Sequence, residues 1–314
     1  MAAAAKPGIT GRVTWLWIPL TVAAAFLQNL RTALQKHLRG QLSTNAATFT
    51  RFAFGSPLVI LYAAGLNGWA GLDWPEPNPA FVFWVALGGV AQIVATACLI
   101  HIFSFRNFAV GVAYSKTEVI QSAIFGLVFL GDRVTLWGGT AIALGTLGVM
   151  LISLTEGGGA WRMLVLGWLE RPALIGLASG GLFGIAAVSF RAGALSLGES
   201  AFVMRSAYTL LWANLLQTAL MAAYLWLRER DQLGKFLTTW RLSALTGAVG
   251  VIASALWFTA MTIQLVAYVR TLALVELVFT FLFSWYVFKE KPRGREIAGM
   301  VLMVVGVIMM LNLH

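Results

Sequence analysis

Long apolar runs alternate with short polar breaks from one end of this chain to the other. A run of about 20 apolar residues, at 1.5 Å per helical residue, crosses a hydrocarbon core of about 30 Å. Dividing the sequence at its polar, proline and glycine clusters predicts ten helices: 13–35, 46–70, 79–103, 107–130, 134–154, 171–191, 200–227, 241–264, 266–288 and 294–313. The connection from Asn67 to Pro79 holds three prolines and two acids and cannot continue a helix. The longest break, Thr155 to Arg171, contains Gly157-Gly158-Gly159 and separates two parts of five helices each, 1–156 and 157–314. The first run resembles a signal peptide, with Lys6, Arg12 and Ala23-Ala24-Ala25 in the right order, but it continues past the alanines to Leu30 and reads as a first helix.

Composition agrees. Hydrophobic residues make up 59% of the 314 and charged residues 11%, against about 25% charged in an ordinary soluble domain. The solvent for most of the chain is therefore lipid, and the predicted fold class is an all-α integral membrane protein. The net charge of +10 does not mark a nucleic-acid protein, because the basic residues lie at the ends of apolar runs instead of forming one stripe. Cys98 is the only cysteine, so no internal disulfide forms. His101 has no second ligand at metal spacing, and no metal or cofactor is expected.

The basic residues instead set orientation. With a cytoplasmic N-terminus, the cytoplasm would hold Lys6, Arg12, Arg133 and Arg191, whereas the other side would hold thirteen Lys and Arg residues, among them Arg228, Arg230, Lys235, Lys289 and Lys291. The positive-inside rule therefore predicts both termini outside an inner (plasma) membrane.

The two parts are internally related. Shifting the chain by 158 positions aligns 86–152 with 244–310 and pairs Glu118 with Glu276; an acid within a membrane span is rare, so this match outweighs the apolar ones. Each glutamate is followed fourteen residues later by another acid, Asp132 and Glu290. A slightly different offset pairs Arg51 with Arg205. Five helices per repeat place the second copy in the opposite sense across the membrane, the inverted arrangement typical of secondary transporters.

Gly131-Asp132-Arg133 and Lys289-Glu290-Lys291, with Arg51-Phe52-Ala53 and Arg205-Ser206-Ala207 opening the second and seventh helices, resemble the two EamA-type repeats of the drug/metabolite transporter superfamily. The likeness covers about 300 residues. Two departures from that pattern matter: Val119 and Leu277 stand where the family often has proline, and Gly-Asp and Lys-Glu replace its Gly-Glu. The resemblance implies a ten-helix carrier and does not extend to a substrate subgroup.

Glu118 and Glu276 lie about ten residues into their spans, roughly 15 Å from either edge, too deep to snorkel. Tyr114, Glu118 and Gln121 share one helical face, extended by Phe125; Glu276, Phe279 and Thr280 share the matching face of the ninth helix. A carboxylate among aromatic and hydroxyl groups suits an amphipathic solute. Two readings of the glutamates stand side by side: proton-coupling groups whose charge state changes during transport, or acceptors of interhelical hydrogen bonds. Gln28, Arg31 or Thr32, and Gln35 at helical spacing give the first helix a polar stripe, with Asn29 beside it and Arg31 also readable as an anchor. Gln92 and Trp257 complete the candidate solute contacts. Lys116 and Arg270 are read as structural, Arg270 by snorkelling to the outer end of its span. Gly176, Gly180 and Gly184, and Gly138, Ala141, Gly145 and Gly148, are read as packing seams of small residues.

An intramembrane enzyme would need a zincin pair, a nucleophile elbow or a phosphate-cradling loop, and the sequence has none of these motifs. A channel would line a continuous path with rings of like residues. The expected function is alternating-access transport, as an exporter or exchanger, of a small organic metabolite such as an amino acid; the alternative is translocation of a lipid or lipid-linked headgroup. The expected partners are that solute and the bilayer, with oligomeric state left open.

Overall fold

A computed structural model describes residues 15–38, 40–105, 108–153, 169–278 and 294–312. Among them every regular element is a helix: α1 (Trp17–Leu38), α2 (Thr44–Ala53), α3 (Ser56–Gly68), α4 (Pro79–Ile102), α5 (Phe108–Ser115), α6 (Glu118–Leu130), α7 (Leu136–Ser153), α8 (Arg171–Ser196), α9 (Phe202–Arg228), the short α10 (Arg230–Leu233), α11 (Phe236–Ile263), α12 (Val266–Ala273) and α13 (Gly294–Leu311).

Local chemistry fixes the ends. Ser43 caps α2 by accepting from the Ala46 N–H, and Asn78 caps α4 by accepting from the Phe81 N–H with Pro79 in the first turn. Pro57, which offers no N–H, follows the interruption between α2 and α3. Gly131 closes α6 in the left-handed conformation, φ 70°.

Of the ten expected spans, seven among the described residues are helical segments long and apolar enough to cross a membrane: 44–68, 79–102, 136–153, 171–196, 202–228, 238–263 and 294–311. The other three differ for distinct reasons. The 22-residue α1 is long enough, but its polar stripe dilutes its apolar character. The fourth span is split into α5 and α6. The ninth is described only to residue 278.

Side chains are arranged for lipid. Large apolar residues such as Leu61, Val82, Val128, Trp137 and Leu227 point outward, while Ala24, Ala46, Ala63, Ala95, Ala141 and Ala253 are buried. In hydrocarbon there is no water to drive large residues inward, and small residues let helices approach. Buried hydroxyls return to their own helix, as Thr21 donates to Trp17 O (2.6 Å), Thr262 to Phe258 O (2.7 Å) and Thr271 to Ala267 O (2.8 Å).

The helices form two compact units, 1–77 with 194–265, and 78–193 with 266–314. Each unit therefore draws on both parts of the sequence. In the first, α11 packs on α1, α2 and α9, and α9 packs on α2 and α3. Asn45 donates to Glu229 (2.7 Å), Asn214 to Phe52 O (3.2 Å), and Ser56 meets Thr218 (3.0 Å), so the α2–α3 span and α9 run antiparallel. In the second, Gly148 of α7 meets Gly299 and Met303 while Ala141 and Gly145 meet Gly306, which makes α7 and α13 antiparallel. Gly138 faces Tyr268, and Gly145 faces Thr271 and Leu274, so α12 runs with α7 and against α6. These are the second and seventh, fifth and tenth, and fourth and ninth spans, and in each pair the repeat copies run in opposite senses.

Candidate functional site

The fourth and ninth spans are interrupted at equivalent places. Lys116 and Thr117 leave the α-helical pattern between α5 and α6, and their N–H groups reach back only three residues, to Ala113 O and Tyr114 O. Leu274, 158 positions beyond Lys116, breaks the ninth span in the same way, donating to Thr271 O at 3.2 Å. Glu118 and Glu276 each stand two residues after these points.

Glu118 opens α6 and pairs with Arg270 of α12, Oε1 to Nε 3.2 Å, both side chains about a fifth exposed (19%). This corrects the expectation that Arg270 snorkels outward: its charge is compensated inside the second unit by the repeat-related span. Sequence spacing missed the pair because the partners are 152 positions apart, although an arginine within a span was itself the signal. Glu276 is partly buried beyond the break. Phe279 and Thr280 lie outside the described residues, as do Lys289-Glu290-Lys291.

Tyr114 is buried beside Val110 and Ala173. Gln121 donates to Thr117 Oγ1 (2.7 Å) and Leu177 O (3.3 Å). The face carrying both residues lies on the glycine strip of α8: a Cβ at Gly176 would come within 3.0 Å of Tyr114 Cβ, and one at Gly181 within 2.6 Å of Gln121 Oε1. Glycine there permits the approach. Asp132, in the turn after Gly131, pairs with Arg191 of α8 at 3.4 Å, so the family-like Gly-Asp motif ends one helix and ties it to another. Gln92 is partly buried on α4.

In the first unit, Gln28 and Arg31 are partly buried, Asn29 is exposed and Trp257 is buried. Gln35, from the same stripe, donates to Ala47 O (3.1 Å) and binds α1 to α2. Arg31 shares its surroundings with Arg51 of α2. A Cβ at Gly250 of α11 would lie 3.4 Å from Arg31 Cδ and 3.6 Å from Arg51 Cβ, and the two charges repel.

Paired antiparallel spans with charged groups in their interiors define a multi-pass helical membrane protein of the inverted-repeat class. A model of the EamA-like transporter family matches residues 15–154 and again 172–312. The chain belongs to that family and is a membrane transporter of small solutes. A solved structure described as "Crystal structure of protein" is similar over 96% of this chain and 99% of its own, with a TM-score of 0.68 and 18% identity, a likeness of fold. No curated protein matches the chain.

Proposed function

We propose that this protein is a secondary active transporter, an exporter or exchanger, that carries a small organic solute by alternating access, with Glu118 and Glu276 coupling movement to protons. The observation that carries the reading is the interruption at Lys116–Thr117 and Leu274, repeated in antiparallel spans and followed each time by a glutamate. Broken spans at corresponding positions of two repeats are a pointer to the binding region of such carriers. Glu118 holds Arg270 of α12 by an ion pair, so loss of its charge would release one helix from another. In this reading the repeats are 1–156 and 157–314, in an inner membrane with both termini outside. Translocation of a lipid-linked headgroup is the alternative.

A thermal-shift screen of amino acids, organic cations, organic anions, purines and sugars identifies a ligand, and counterflow of it in proteoliposomes tests carriage. Glu118→Gln and Glu276→Gln keep shape and hydrogen bonding but remove titration. At least one should leave the protein folded while flattening the pH profile of uptake; unchanged rate and profile in both variants would end the proton-coupling reading. Reporter fusions after Asp231 and Lys291 should report cytoplasm and one after His314 the outside. The reverse pattern would invert the topology.

A further inference from the structure

We propose that the turn joining α9 to α11 is a docking surface for anionic phospholipid, with Arg230 and Arg241, and Arg228 beside them, receiving headgroup phosphates. No residue of the candidate site takes part, and the surface does not depend on the transport reading. It belongs wholly to the first unit. One apolar span ends at residue 228 and the next begins at 238, so the turn and its flanks lie at one membrane–water boundary. Residues 226–241 hold four basic side chains, Arg228, Arg230, Lys235 and Arg241, against two acids, Glu229 and Asp231. All four basic residues are exposed.

Both acids are engaged within the fold. Glu229 accepts from Ser43 and Asn45, while Asp231 pairs with Lys235 at 3.8 Å and accepts from Gln232 at 2.6 Å. Among the described residues no carboxylate lies within 4 Å of Arg228, Arg230 or Arg241. Two of these guanidinium groups are seated on tryptophan: Arg230 lies 4.7 Å from the centre of the Trp226 ring, and Arg241 5.5 Å from that of Trp240. Both indoles are more than half exposed, 57% and 54%. Trp226 stands two residues before the end of its span and Trp240 two residues after the start of the next, the depth at which amphipathic rings sit between hydrocarbon and headgroups. An arginine stacked there is held at the level of the lipid phosphates, and its planar fork matches phosphate oxygens with paired N–H donors. Capping of α9 is a simpler role, but it uses only Arg230 Nε, which donates to Trp226 O at 2.6 Å. It does not account for Arg241, near the N-terminal end of α11, where the helix dipole does not favour a cation. The Ser43 N–H donates to Gln232 Oε1 at 3.0 Å, so the turn is tied to the start of α2, and a headgroup bound there stabilises the packing of three helices.

The test uses the full chain, purified in a neutral detergent and titrated with phosphatidylglycerol or phosphatidylcholine in mixed micelles. Phosphatidylglycerol should raise the melting temperature, and phosphatidylcholine at the same concentration should not. Arg241→Gln should raise the phosphatidylglycerol concentration that gives half the shift about fivefold, the equivalent of about 1 kcal/mol per basic residue at an anionic surface. Arg230→Gln with Arg241→Gln should raise it by more than about tenfold. Arg171→Gln removes an exposed arginine at the start of α8 in the second unit and should leave the titration unchanged. A loss there equal to that of Arg241→Gln would mean diffuse attraction to any basic rim and overturn the surface. The absence of a phosphatidylglycerol shift, an equal shift from phosphatidylcholine, or a shift that the double variant retains would overturn it too. A shift reproduced by soluble glycerol 3-phosphate would refute the assignment to lipid.

Discussion

The two compact units treat intramembrane arginine in opposite ways. In the second, Arg191 and Arg270 each meet a carboxylate, Asp132 at 3.4 Å and Glu118 at 3.2 Å. In the first, Arg51 meets the ring of Phe52 and the like charge of Arg31. A cation whose counter-charge belongs to the same fold is neutralised there, whether the pair stays fixed or opens when the acid loses its charge. A cation set beside another gains nothing from that neighbour, and Arg51 rests instead on the aromatic face of Phe52. The difference teaches that burial and charge alone do not tell how an arginine within a span is held; its partner does.

The largest effect should come from breaking the compensated pair. Glu118→Ala leaves Arg270 partly buried without its carboxylate, and stability should fall by about 3 kcal/mol, at the low end of the cost for such pairs because each side chain is a fifth exposed. Glu118→Ala with Arg270→Gln should recover most of it. Melting of the purified single and double variants gives the coupling energy, and additive losses would remove the pair from the comparison.

A smaller loss is expected at the glycine seam of the second unit, which sharpens the comparison by separating packing from charge. A Cβ on Gly148 would collide with Gly299 O and the backbone of Met303, whereas one on Gly139 of the same helix meets nothing within 4 Å. Gly148→Ala should cost about 1 to 3 kcal/mol and Gly139→Ala almost nothing in the same melting assay. Equal losses would mean that α7 and α13 do not meet here.

The smallest effect on stability is expected at Arg51. Its replacement by Gln removes a repulsion with Arg31 and, among the described residues, no ion pair, so melting should change by less than about 1 kcal/mol or rise. A loss as large as that of Arg270→Gln would show that the first unit compensates Arg51 after all.

Much of the architecture was legible in the sequence because lipid imposes a simple length rule on apolar runs. The run boundaries at Pro79, Leu130 and Arg171 reappear as helix ends within a residue. Repeat-paired glutamates at 118 and 276 were visible because acids are rare in such segments. The break at Lys116 was not legible: neither Lys116 nor Leu274 is a glycine or proline, and the tightening appears only in the hydrogen bonds to Ala113 O and Thr271 O. Nor was the partner of Arg270, since spacing along one helix says nothing about which other helix lies against it.

By itself, then, the sequence determined the class of solvent, the placing of seven spans among the described residues and the existence of two related copies, all of which follow from composition and period along the chain. Tertiary structure alone decided which charges meet. Glu118 found Arg270 because helices from both parts of the sequence are interleaved in each unit, whereas Arg31 and Arg51 come from consecutive helices of the first part. In a low-dielectric interior that pairing sets what each charge is for.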